Sequence, residues 1–179
     1  MRELAQRVSE SDPDLLALSE IDDGDALALA TRFDRQWAYR GGQALLWNQR
    51  FTTVNVHDLY LPAAPLQPFE RRGLLRIDAR CDGVQASIFA TRFAPDRAAV
   101  RDLRFTRSAL RAARARRILL FVTDPPAAGI AAFRDLRFQT LANDAPDMML
   151  GVRGFTMESC VASAAQDGIG AHVVARVKV

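Results

Sequence analysis

The chain has 179 residues, 49% hydrophobic and 25% charged, enough to bury a sizeable core and within the usual range for one domain. No run approaches the roughly 18 uninterrupted apolar residues of a membrane-spanning helix, and the acids in MRELAQRVSESDPDLLALSE exclude an ordinary signal peptide. The formal charge of +3 rests on 24 basic residues, of which only Lys178 is a lysine; so small a surplus is weak evidence for nucleic acid, although arginine's planar fork suits phosphate. Cys81 and Cys160 stand far apart and outside any zinc-ligand spacing, so reduced structural thiols and a cytoplasmic protein are expected.

Residues 2–10 place Leu4 and Val8 on one helical face, and Ser11-Asp12-Pro13-Asp14 stops that helix. The short unbroken apolar run LLALS at 15–19 predicts a buried strand ending at Glu20, after which Asp22-Asp23-Gly24 turns the chain into a second helix from about Asp25. Glu20 thereby falls at the C-terminal tip of a strand, the edge where α/β folds gather site residues. Strands are then expected in succession: WAYR at 37–40, ALLWN at 44–48 beyond a Gly41-Gly42 turn, TVNVHDLYL at 53–61, GLLRIDAR at 73–80, and VQASIFATRF at 84–93 beyond a Cys81-Asp82-Gly83 turn. Such a succession implies an antiparallel stretch. Leu75, Ile77 and Ala79 alternate with Arg76, Asp78 and Arg80, which fits one covered face and one wet face. His57 lies in an alternating strand and is expected to face solvent, whereas Trp37, Tyr39 and Trp47 around the double glycine suit core packing better than base stacking.

The longest helix is expected from about Pro95 to Arg116, with Ala99, Leu103, Thr106, Leu110 and Ala113 as its apolar stripe. Arg97, Arg101, Arg104, Arg111 and Arg114 decorate its other faces as a solvated surface. Short strands return at 118–122, 136–141, 147–151, 155–161 and 172–179. An α/β sandwich, with helices outside two mostly antiparallel sheets and a single domain over 1–179, is the economical architecture.

Glu20, Asp124, Asp147 and His172 each stand at a strand end or beside a turn, in segments otherwise apolar enough to be buried, where a carboxylate costs free energy unless compensated. Two oxygen ligands such as Glu20 and Asp124 suit a hard cation, Mg²⁺ or Mn²⁺, which keeps several waters and is completed by substrate phosphate. A neutral histidine oriented by an acid, His172 with Asp147, could contact or deprotonate a water attacking phosphorus. Each also has a plainer reading: Glu20 as a helix-start or turn residue, Asp124 before Pro125 and Asp147 after Pro146 as turn acids, and His172 as a strand-start histidine.

The order and surroundings of these residues resemble the endonuclease/exonuclease/phosphatase (DNase I-like) superfamily. PDLLALSE at 13–20 looks like the strand that carries the family's metal-binding glutamate, with serine for glutamine. GGQALLWN at 41–48 and ERRGLLRID at 70–78 resemble two further strands, and ATRF at 90–93 takes the place of a threonine-histidine-leucine segment. ILLFVTD at 118–124 resembles the approach to the Gly-Asp-x-Asn motif, PDMMLG at 146–151 the segment with the acid that orients the catalytic histidine, and GAHVVARV at 170–177 the segment with that histidine. The resemblance implies a four-layered sandwich and Mg²⁺- or Mn²⁺-dependent phosphoester hydrolysis. Glu20 and Asp124 would be metal ligands, and Asp124, Asp147 and His172 catalytic residues. A phosphate-ester small molecule or a nucleic acid would be the partner.

Four positions depart from the family's pattern: Arg92 stands for histidine, Thr123 for glycine, Pro126 for the substrate-orienting asparagine and Ala171 for aspartate. Proline offers no side-chain donor and alanine neither holds a water nor binds metal, so an eroded hydrolase is one reading. The alternative is an inactive descendant that binds a phosphate ligand or serves in assembly, with Arg92 holding phosphate where histidine once assisted cleavage. The family's opening strand should precede residue 1. A sandwich lacking it would leave backbone edges unpaired, which predicts a homodimer.

Overall fold

The computed structural model describes residues 2–61, 73–93, 98–125, 133, 139–141, 148–163 and 172–178. In chain order the elements are α1 (Arg2–Ser11), β1 (Leu15–Ser19), α2 (Asp23–Arg32), β2 (Gln36–Arg40), β3 (Gln43–Trp47), β4 (Phe51–Tyr60), β5 (Gly73–Cys81) and β6 (Val84–Arg92). They continue with α3 (Ala98–Ala112), β7 (Arg117–Thr123), β8 (Gln139–Leu141), β9 (Met148–Arg153), β10 (Thr156–Ser163) and β11 (His172–Lys178). One sheet has the order β10-β11-β1-β3-β2 and the other β4-β5-β6-β7-β9-β8. Pairing is antiparallel except between β6 and β7, which run parallel because the α3 crossover joins them.

Alternation along the strands builds the layers. Leu15, Ala17, Leu45, Leu75, Ile77, Ile88, Leu119, Phe121 and Val173 fill the space between the sheets. The opposite face of the first sheet, with Leu16, Leu18 and Leu46, packs on Leu4 and Val8 of α1 and Leu29 of α2. The opposite face of the second, with Leu74, Phe89, Leu120 and Val122, packs on Ala99, Leu103 and Leu110 of α3. The result is the helix, sheet, sheet, helix sandwich expected from the sequence. Each fully buried Leu, Ile or Phe contributes roughly 1.5–3 kcal/mol of transfer free energy to it.

Several elements differ from expectation for local reasons. The strand succession divides between the sheets, because the chain turns at Asn48 and Arg50 so that Trp47 and Phe51 can both enter the inter-sheet core. Helix α2 starts two residues early because Asp22 caps it, its Oδ1 accepting from the Asp25 N–H at 2.7 Å. Helix α3 ends at Ala112, leaving residues 113–116 to reverse the chain into β7; Arg97 lies outside the described residues, and Arg101, Arg104, Arg111 and Arg114 are exposed as expected. His57 does not simply face solvent. Its Nε2 lies 2.9 Å from Asp78 Oδ2, the diagonal neighbour across β4 and β5, and the side chain is half-buried.

The edge argument for a homodimer loses its basis. Strand β1 pairs along its length with β3 on one side and β11 on the other, so the described residues close the interior of this sheet and put its edges at β10 and β2. Among the described residues no helix is long and apolar enough to cross a membrane.

Candidate functional site

Strands β1 and β7 lie in different sheets yet end at the same edge of the sandwich, each delivering a carboxylate on the residue after its last strand position. Both residues leave the strand in the left-handed region: φ is +58° at Glu20 and +54° at Asp124. Side chains other than Gly, Asn and Asp rarely adopt that conformation, and it costs on the order of 1–2 kcal/mol. Surrounding contacts impose it at Glu20. The Ile21 N–H donates to Gly42 O at 3.3 Å, and the buried Gln43 amide donates to Ser19 Oγ at 2.8 Å, pinning the β1 turn to the β2–β3 hairpin. At the other carboxylate, the Phe93 N–H donates to Thr123 O at 3.1 Å, which ties the ends of β6 and β7 together.

Arg92 joins the two. Its Nη1 lies 2.6 Å from Glu20 Oε1 and its Nε donates to Asp124 Oδ2 at 2.7 Å. In-register pairing of Arg92 with Thr123 sets the guanidinium beside Asp124, and its length carries it across to the other sheet. One cation therefore bridges two carboxylates supplied by two sheets. All three side chains remain well exposed, at 37% for Arg92, 44% for Glu20 and 41% for Asp124.

His172 opens β11 opposite Leu18, two residues before Glu20, so its backbone stands at the same edge of the first sheet. Asp147, Pro126 and Ala171 lie outside the described residues; Met148, which follows Asp147, pairs with Thr123 beside Asp124. The sequence-derived candidates that the structure describes thus gather at one end of the sandwich. Among the described residues no group of three or more His, Cys, Asp or Glu side chains converges. A hard divalent cation needs only one or two protein carboxylates beside water and phosphate oxygens, and Glu20 and Asp124 bring two carboxylates to this end of the sandwich, bound to different nitrogens of Arg92. Carboxylate oxygens are the donor type that Mg²⁺ and Mn²⁺ take.

Sequence reasoning missed two charged clusters. At the opposite end, the carboxylate of buried Asp14 accepts from Arg50 Nη1, Asn48 Nδ2 and the Val177 N–H, each at 2.9 Å, while Arg50 also pairs with Asp82. On the second sheet's outer face, Asp78 collects Arg76, Ser87 and His57. Burial pushes the Asp78 carboxyl up, but hydrogen bonds from Arg76, Ser87 and His57 outweigh it and leave it below the usual range. These partners are far apart in sequence, and the one legible signal was the Arg76/Asp78 alternation on one strand face. Burial raises the Cys81 thiol to about 11, so it is inert at neutral pH.

No family model matches the chain, and no curated protein matches it. Solved structures do. An endonuclease/exonuclease/phosphatase from Bacteroides vulgatus superposes with a TM-score of 0.75 at 9% identity, covering 99% of this chain and 89% of that one. Mannosyl-6-phosphatase Bt3783 of Bacteroides thetaiotaomicron gives 0.73 at 12% identity, covering 99% and 90%. TDP2 of D. rerio, solved with a single-strand DNA product, gives 0.68 at 11% identity, covering 99% and 91%. With two sheets in the expected layers and these neighbours across nearly its whole length, the chain has the endonuclease/exonuclease/phosphatase, DNase I-like fold.

Proposed function

We propose that this chain is a divergent phosphoester hydrolase, acting as one domain, whose site is the sandwich end bearing Glu20 and Asp124. The observation that carries this reading is the meeting of two carboxylates from separate sheets on a single cationic group. In the reading, Glu20 and Asp124 hold Mg²⁺ or Mn²⁺, which when bound supplies Lewis-acid polarisation of a phosphoryl oxygen. His172, oriented by Asp147, takes the proton of the attacking water, and Arg92 contacts the phosphate. Mannosyl-6-phosphatase acts on a phosphorylated sugar and TDP2 was solved with single-strand DNA, so both a small phosphate ester and a nucleic acid are substrate classes to test. A cytoplasmic location is part of the proposal, supported by the sparing use of cysteine, two in 179 residues.

The test is Mn²⁺-dependent release of p-nitrophenol from its mono- and diesters by wild type, Glu20→Ala and His172→Ala. Turnover that needs the metal and disappears in both variants is expected. The same bridge favours a second reading: Arg92 already supplies the positive charge that the carboxylates require, as in a retired enzyme that keeps the fold for binding a phosphate ligand or for assembly. Inorganic phosphate binding with no turnover of any ester would select that reading.

A further inference from the structure

We infer that the Arg92 guanidinium is a resident cation at the Glu20–Asp124 pair, so that a divalent ion enters only by displacing it, and that the displaced guanidinium is then the phosphate-holding group. The inference rests on the reading of Glu20 and Asp124 as metal carboxylates. It adds how the chain controls entry to that site.

Geometry supplies the first argument. One oxygen of each carboxylate, Glu20 Oε1 and Asp124 Oδ2, is already in contact with Arg92, at 2.6 and 2.7 Å. A dication sharing the pair with the guanidinium would face a like charge at contact distance, so the two cations compete for the same carboxylates. Exposure supplies the second. All three side chains are more than a third exposed, and arginine has a long flexible stem, so packing does not hold this bridge closed. Charge supplies the third. Glu20, Asp124 and Arg92 sum to minus one, and a phosphate approaching the resting cluster meets two carboxylates already paired with its only described bridging cation. Once a metal neutralises the carboxylates, the Nη1 and Nε donors that they hold are released to the next anion. Metal and phosphate therefore bind with positive coupling, each raising the affinity of the other.

Calorimetric titration of Mn²⁺ into the full chain, in buffer without phosphate, tests the competition with wild type, Arg92→Leu, Arg92→Lys and Glu20→Ala. Arg92→Leu should bind Mn²⁺ about ten-fold more tightly than wild type, in keeping with the loss of two exposed ion pairs. Arg92→Lys, which keeps a point charge without the fork, should fall between them, and Glu20→Ala should lose binding. Circular dichroism melts establish that each variant is folded, and the lysine variant preserves the test if leucine does not fold. Inorganic phosphate should bind wild type with Mn²⁺ present at least about ten-fold more tightly than without it, and Arg92→Leu should lose that gain. Equal Mn²⁺ affinity in wild type and both Arg92 variants overturns the inference while leaving the metal site standing. No Mn²⁺ binding by any of them overturns the metal reading itself. Equal phosphate affinity with and without Mn²⁺ overturns the handover.

Discussion

Two arginines hold the ends of this sandwich in the same way and to opposite effect. Arg50 links Asp14, at the start of β1, to Asp82 in the β5–β6 turn; Arg92 links Glu20, just past the end of β1, to Asp124 just past β7. Both are about one-third exposed, at 36% and 37%. Their partners differ: the Asp14 side chain is 5% exposed and further tied to Asn48 and the Val177 backbone, whereas Glu20 is 44% exposed. The arrangement around buried Asp14 is a permanent joint, because removing a donor leaves that carboxylate short of partners away from water. An exposed bridge of the same composition is exchangeable, because water can replace each partner. What separates a structural ion pair from a candidate site here is not residue type but how many additional donors lock each carboxylate.

The largest expected effect breaks the locked end. Asp14→Ala leaves Arg50, Asn48 and the Val177 N–H without their shared acceptor and should cost about 2–4 kcal/mol, read as a lower urea midpoint with an unchanged slope.

A smaller effect comes from acid. Asp82 is held below the ordinary carboxyl value of 3.8 by its hydrogen bond from Arg50, and Asp78 lies below it because its hydrogen bonds outweigh burial. Both folded-state values are depressed, so the stability these groups add is fully present above about pH 4. It is lost as pH falls through the folded values. Denaturant midpoints recorded from pH 6 down to pH 2 should decline through that window. Asp78→Asn should make the decline shallower, and an undiminished decline in that variant would remove Asp78 from the account.

The smallest effect is expected at the exchangeable end. Arg92→Leu should change stability by within about 1 kcal/mol in metal-free buffer. A loss as large as that of Asp14→Ala would erase the distinction between the two ends.

Legibility in the sequence followed the range of the physics. The buried β1 run and the α3 stripe are local patterns, so strand, helix and the strand-tip position of Glu20 could all be read before any coordinates. Asp124 and His172 could be placed at strand ends for the same reason, and the structure sets both at the edge that Glu20 occupies. The bridge at Arg92 could not be read, because it depends on two sheets meeting at one end. Nor could the joint at Asp14, whose partners are 34, 36 and 163 residues away. His57 was misjudged because alternation reports which face a residue occupies and says nothing of the diagonal partner waiting there.

The left-handed backbone at Glu20 and Asp124 has a consequence for anyone who evolves this protein in the laboratory. Glycine relaxes such a position at once, and asparagine tolerates it better than glutamate, so either substitution at residue 20 trades a carboxylate for an easier chain path. A selection that rewarded heat resistance alone would drift toward Glu20→Gly or Glu20→Asn, improving the scaffold while dismantling its charged end. Thermostable clones recovered without a functional screen would then carry a blank where the natural chain keeps a glutamate in an uncomfortable posture.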